Sequence, residues 1–188
     1  MNKILPLVSI IALPMVTLHA QANSGTISFS GMVTDSTCTV EVDGKGSNAT
    51  ILLPTVSKTV LSAIDATAGK TGFNIVMKDC TLGGTPADTQ VSTYFEAGPT
   101  VDINTGLLIN TIGTGAATNV ALQLLDGTND KKIEIGRESQ TAENSYATVA
   151  GTPAATATLP YAVQYIATTG AATAGTVTSS VTYNVMYK

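Results

Sequence analysis

The stretch GTVTSSVTYNVMYK runs from Gly175 to Lys188. Past Gly175, the residues Val177, Val181, Tyr183, Val185 and Tyr187 fall on odd numbers, with Thr178, Ser180, Thr182 and Asn184 between them. Successive side chains of an extended chain point to opposite faces, so a period of two marks a strand with one apolar face. No turn and no later strand follows in this sequence. The strand is therefore expected to carry an edge that its own chain does not cover.

Upstream segments read the same way. Thr26 to Val42 alternates on either side of Gly31, and ATILLP (Ala49 to Pro54) is a short apolar run stopped by proline. GFNIVMKDC (Gly72 to Cys80) sets Phe73, Ile75 and Met77 on one face, and TNVALQLLD (Thr118 to Asp126) does so with Val120, Leu122 and Leu124. VSTYFEA (Val91 to Ala97) and TATLPYAVQYIA (Thr156 to Ala167) are further strands. DGTND (Asp126 to Asp130) reads as a turn before a strand in KKIEIG, and LSAIDATAG (Leu61 to Gly69) as a brief helical turn. With no long 3.6-residue period, no repeat and no linker, the pattern predicts one all-β sandwich domain.

The beginning of the chain reads as a leader. Lys3 precedes an apolar run of 15 residues, Ile4 to Leu18, and Ala20-Gln21-Ala22 is an A-x-A cleavage site. A cut after Ala20 instead would put Leu18 at a small-residue position. A membrane anchor is the rival reading, but a spanning helix needs about 20 apolar residues, and Pro6 and Pro14 interrupt this run. Signal peptide 1–22 thus leaves a mature chain of 166 residues, Asn23 to Lys188, with no further long apolar run and so no expected membrane span. Without Lys3, eight basic residues face thirteen acidic ones, a net charge of −5. Phosphate binding needs clustered Lys and Arg, and the nearest approach is Lys131-Lys132, which argues against nucleic acid as a partner.

Few groups are left for chemistry. The only histidine, His19, lies in the leader. Cys38 and Cys80 in an exported chain are expected to pair. The closed loop of 43 residues would stabilise by at most roughly 4 kcal/mol from chain entropy. Two free thiols or a metal pair are the alternatives, yet a structural zinc wants about four ligands and no histidine remains. Glu41/Asp43 and Glu134/Glu138 are simplest as solvated carboxylates. DGTNDKKIE resembles a calcium loop only faintly, because Lys131 stands where glycine is required. Neither catalysis nor a metal or other cofactor is expected.

The opposite end of the mature chain, NSGTISFSG, aligns Asn23, Gly25, Ile27, Phe29 and Gly31 on one face. Two exposed apolar strands on one chain invite aggregation unless they belong to one contact. They could close the sandwich within one molecule. Alternatively, the first strand of one copy completes the sheet of the next, a head-to-tail contact that propagates into a filament.

GTISFSG through DSTCTV, GFNIVMKDC with the second cysteine, TNVALQLLD, and LPYAVQYIATTGAATAG together resemble a major structural subunit of type 1 fimbriae, the chaperone–usher pilins. Tyr187 in the penultimate position and Gly175 fourteenth from the end complete the likeness. The resemblance implies an incomplete immunoglobulin-like sandwich lacking its last strand, completed by donor-strand addition from the next subunit. It implies a donor strand at Asn23, Gly25, Ile27, Phe29 and Gly31. The acceptor groove would run along Gly175, Val177, Val181, Tyr183, Val185 and Tyr187. Implied partners are identical or related pilins, a periplasmic chaperone that grips the carboxylate of Lys188, and an outer-membrane usher. The expected function is a structural subunit of an adhesive surface fimbria, reached through the periplasm. A minor or tip adaptor subunit, or a non-polymerising exported immunoglobulin-like module, is the alternative. Only Asn23-Ser24 precedes Gly25 after the expected cut, shorter than in many members of that family.

Overall fold

Alternation of small, β-branched and large apolar residues builds the longest strand, β2 (Thr67–Thr81), in which Ile75 and Met77 are fully buried. Residues 26–84, 87–151 and 154–188 are described by this computed structural model. The expected leader, its cleavage site, Asn23 and Gly25 lie outside them. Contacts divide the chain into two units, Met1–Met32 and Val33–Lys188, and the fold is that of the second.

β1 (Thr37–Val42) pairs with one side of β2, and β8 (Ala157–Ala167) with the other. The sheet continues through β6 (Val120–Asp126), β5 (Leu107–Ile109) and the two-residue β4 (Val101–Asp102). A smaller sheet has β3 (Gln90–Phe95) in its centre, between β7 (Ala147–Thr148) and β9 (Tyr183–Tyr187). Every pairing of these strands is antiparallel.

Inward residues of the two sheets make the main core. Ile75, Met77, Leu122, Leu124 and Val163 of the large sheet pack with Val91 and Phe95 of the small one. Each such side chain contributes about 1.5–3 kcal/mol on burial. Phe95 meets the ring of Tyr161 edge-on at 5.2 Å. The Thr93 hydroxyl donates to the Tyr161 oxygen at 2.5 Å, so that buried phenol is satisfied. Cys38 and Cys80, on the neighbouring strands β1 and β2, form a disulfide. No helix among the described residues is long and apolar enough to cross a membrane.

The all-β sandwich expected from the sequence is the fold adopted, with local differences. Ala49–Pro54 forms no strand, although Ile51 and Leu53 point inward and Leu52 is 82% exposed. Extended conformation alone is not a ladder; a strand also needs a neighbour, and this segment has none among the described residues. KKIEIG contributes the buried Ile133 and Ile135 but only an isolated bridge, Leu125 to Lys132. The helical turn lies earlier than expected, at Lys58–Leu61, where the Ser57 hydroxyl accepts from the Thr59 N–H. A short helix, α1 (Gln140–Glu143), was not signalled by any periodicity.

Candidate functional site

The edge of the small sheet follows from one hydrogen-bonded pair. Gln90 and Lys188 exchange both main-chain bonds, at 2.9 and 3.0 Å. Bonded and non-bonded pairs alternate along an antiparallel ladder. With Ser92 opposite Met186 and Tyr94 opposite Asn184, the even residues of β9 bond to β3. The N–H and C=O groups of Tyr183, Val185 and Tyr187 therefore point away from β3. No strand of the described residues pairs with that outer edge.

Before β9 the ladder to β3 ends, yet the chain keeps the same alternation. Glu96 N–H donates to the Thr182 carbonyl at 2.8 Å, and the Thr100 hydroxyl to that of Ser180 at 2.5 Å. Thr178 is held from both sides, its N–H by the Asn110 side-chain oxygen (2.7 Å) and its carbonyl by the Thr111 N–H (2.8 Å). Thr176 donates to the Gly115 carbonyl and accepts from the Ala117 N–H, both at 2.9 Å. Even-numbered main-chain groups are thus used inward from 176 onward. The odd-numbered series from Val177 to Tyr187 faces the other way. Gly175 has a steric reason to be glycine: an added Cβ would lie 2.3 Å from the Ala117 nitrogen and 2.6 Å from the Ala116 carbonyl carbon. The chain crosses the 115–117 loop too closely for any side chain.

Beside this edge lies a solvent-open cleft. One part, about 390 Å³, has Phe95, Leu122, Leu124 and Val163 in its lining, with Ile51 and Leu53 on one wall and Val181 and Tyr183 on the other. A second part, about 450 Å³, lies between Val56 and Leu61 on one side and Gly175 to Thr178 on the other. The two walls run in opposite directions, since 47–53 faces 179–183 and 55–61 faces 172–178. The Tyr183 hydroxyl spans the gap to the Ser47 carbonyl at 2.8 Å. Val177, Val181, Tyr183, Val185 and Tyr187 are all half-buried against the main core. Core residues forming the walls of an open slot are what a sandwich exposes when one strand position is empty.

The other edge of β3 is treated differently. Gln140 accepts from the Phe95 N–H and donates to the Phe95 carbonyl, both at 2.9 Å, and Asn144 donates to the Thr93 carbonyl at 2.9 Å. These side chains occupy the place of a neighbouring strand beyond β7. Sequence reasoning missed Gln140, Asn144 and Asn110. Each is a lone polar residue outside any periodic run, and its partners lie far away in the chain or depend on how a loop closes.

Around Lys188 the structure is built from its own chain. The Lys188 carbonyl accepts from the N–H groups of Thr89 and Gln90 at 2.8 and 2.9 Å, and its ammonium sits 5.3 Å from the Tyr146 ring centroid. Nearby in sequence to those donors, the buried Asp88 carboxylate accepts from the hydroxyls of Ser36 (2.6 Å) and Thr34 (2.7 Å). These bonds hold its pKa below the usual carboxylate value. Among the described residues no group of three or more acidic, Cys or His side chains could hold a metal. At the start of the described chain Ile27 and Phe29 are 79% and 91% exposed, and Gly31 lies in the same segment, which forms no strand.

Residues 53–188 match the family described as Type-1 fimbrial protein, A. This chain belongs to the type-1 fimbrial protein family. Major fimbrial subunit SMF-1 of Stenotrophomonas maltophilia is 45% identical over 171 residues, covering 90% of this chain and 96% of its own. The F17 fimbrial protein of Escherichia coli is 41% identical over 167 residues, covering 89% of each. Among solved structures, the P pilus rod subunit PapA superposes with a TM-score of 0.55 at 19% identity, over 79% of this chain and 99% of its own. That match shows the fold, the incomplete immunoglobulin-like sandwich of pilin subunits. As a fimbrial-family member the chain is a structural surface protein and not an enzyme.

Proposed function

We propose that the cleft beside β9 receives Asn23–Gly31 of a second copy, so that the chain polymerises head-to-tail into the shaft of a fimbria. The observation that carries this reading is the bare edge, with odd-numbered main-chain groups from Val177 to Tyr187 bordering an apolar slot. Ile27 and Phe29, exposed in the lone chain, are the side chains suited to fill it. Each would contribute about 1.5–3 kcal/mol on burial, and each main-chain bond roughly 0.5–1.5 kcal/mol. Gly25 and Gly31 flank them where the backbones approach closely. Asn23 begins the same donor face. The name of SMF-1, a major fimbrial subunit, favours the shaft over a minor position.

In this reading a periplasmic chaperone occupies the slot first, holding the free carboxylate of Lys188, and an outer-membrane usher hands the subunit to its neighbour. Cell adhesion follows from the filament. Phe29→Asp would place a carboxylate in the apolar slot, where burial without a partner costs several kcal/mol. Subunits of this variant should accumulate without filaments in electron micrographs of cells. Filaments of normal number and length would overturn the donor assignment.

A further inference from the structure

We propose that Asn110 sets the length of the edge that this chain offers to an incoming strand, and so how much of a donor segment is held. The inference rests on the strand-addition reading and deepens it. β9 itself begins only at Tyr183, and a ladder alone would present only Tyr183, Val185 and Tyr187. Between 176 and 178 no ladder of the described residues orients the backbone; Thr176 has only an isolated bridge to Ala116, and the Thr178 carbonyl takes the Thr111 N–H. Asn110 takes the ladder's place with one side chain: its amide donates to the carbonyls of Ala117 (2.8 Å) and Thr176 (3.0 Å), and its oxygen accepts from the Thr178 N–H (2.7 Å). Both polar atoms are used, on both sides of Val177, and the residue is only 7% exposed, so water cannot easily replace it. The result is that Val177, Ser179 and Val181 continue the outward alternation of β9. Thr100 extends the same hold to Ser180.

A carboxamide is the group for this task. It donates and accepts at once, as a main-chain peptide does. Aspartate would lack the donor, and leucine both functions. Without Asn110 the Thr178 N–H loses its acceptor and the Thr176 carbonyl one of its two donors. That loosens the backbone between the remaining bonds to Thr111, Gly115 and Ala117 and leaves β9 as a short edge with its apolar floor intact. The effect is confined to one end of the slot, which separates it from a general loss of stability.

The test uses the purified full chain and labelled synthetic peptides of the sequence Asn23 to Gly31. One peptide is shortened by Ser30-Gly31 and another by Asn23-Ser24, so either direction of binding is covered. Two lost main-chain bonds should speed release of one shortened peptide from the wild-type chain about tenfold. In Asn110→Ala the full peptide and that shortened one should leave at rates within about twofold of each other, since the missing bonds are no longer formed. Sensitivity at the opposite end should be unchanged. Thr100→Val, a near-isosteric change at a half-buried residue, should reduce the same difference in part and guards against a variant that does not fold. Retention of the full tenfold difference in both variants would overturn the role of Asn110. Failure of the wild-type chain to hold even the full peptide would instead overturn the strand-addition reading.

Discussion

Replacing Gly175 by alanine adds a single methyl group, and its cost can be worked from the positions of three main-chain atoms. The new Cβ would lie 2.3 Å from the Ala117 nitrogen, 2.6 Å from the Ala116 carbonyl carbon and 2.7 Å from the Gly115 oxygen. None belongs to a flexible side chain, so the crossing has to open. Overpacking of this kind costs about 1–3 kcal/mol. Opening also breaks the two bonds of Thr176 with Gly115 and Ala117, both 2.9 Å, worth roughly 0.5–1.5 kcal/mol each. Together the loss is about 2–6 kcal/mol, a large share of the stability of an ordinary domain. For a chain of this size each kcal/mol moves the midpoint by about 2–4 °C, so thermal unfolding followed by circular dichroism should show a fall of at least about 4 °C. Gly113→Ala is the control, because nothing lies within 4 Å of its added Cβ. Equal midpoints for Gly175→Ala and wild type would refute the argument that close backbone approach demands this glycine.

Two other outcomes follow from side chains that the sequence did not single out or did not place. Gln140→Leu keeps the bulk but leaves the Phe95 N–H without its acceptor. Denaturant unfolding should show a loss of about 1–3 kcal/mol, the cost of an unsatisfied buried donor; a change near zero would mean that edge of β3 needs no cover. Asp88 has a folded-state pKa below its unfolded value because Ser36 and Thr34 donate to it. Its contribution to stability is therefore present above the unfolded value, near about 3.9, and is lost as pH falls through the lower folded value. Stability curves of wild type and Asp88→Asn should differ at neutral pH and converge in acid; a gap that widens below about pH 4 would contradict the sign.

Much of this fold can be read from alternation. Phe73, Ile75 and Met77 mark β2, and Tyr183, Val185 and Tyr187 mark β9, because each strand has one face on the core. The early part of β2 is harder to see: a register shift between Ala68 and Thr71 breaks the period there, and Gly69 adopts a positive φ of 68°. β5, Leu107 to Ile109, is too short to show a period at all. Ile51 and Leu53 alternate as a strand would, but no neighbour in the described chain supplies the ladder. At the site, the apolar residues of the edge were legible and the polar ones were not. Gln140 acts on Phe95 across 45 positions of sequence, and Asn110 on Thr178 across 68. No local pattern encodes a bond over such a span. Gly175 stood out only as a family position; its clash with the 115–117 loop needs the folded chain to be seen.

Amide hydrogen exchange, resolved residue by residue between Val177 and Tyr187, tests the missing strand most directly. In the lone chain the N–H groups of Val177, Val181, Tyr183, Val185 and Tyr187 should exchange fast, while Thr178, Asn184 and Met186 are already protected. On polymerisation, or on addition of the Asn23–Gly31 peptide, protection should appear at the odd positions and stay nearly constant at the even ones. Odd amides that are slow in the lone chain, or that stay fast in the filament, would contradict the account.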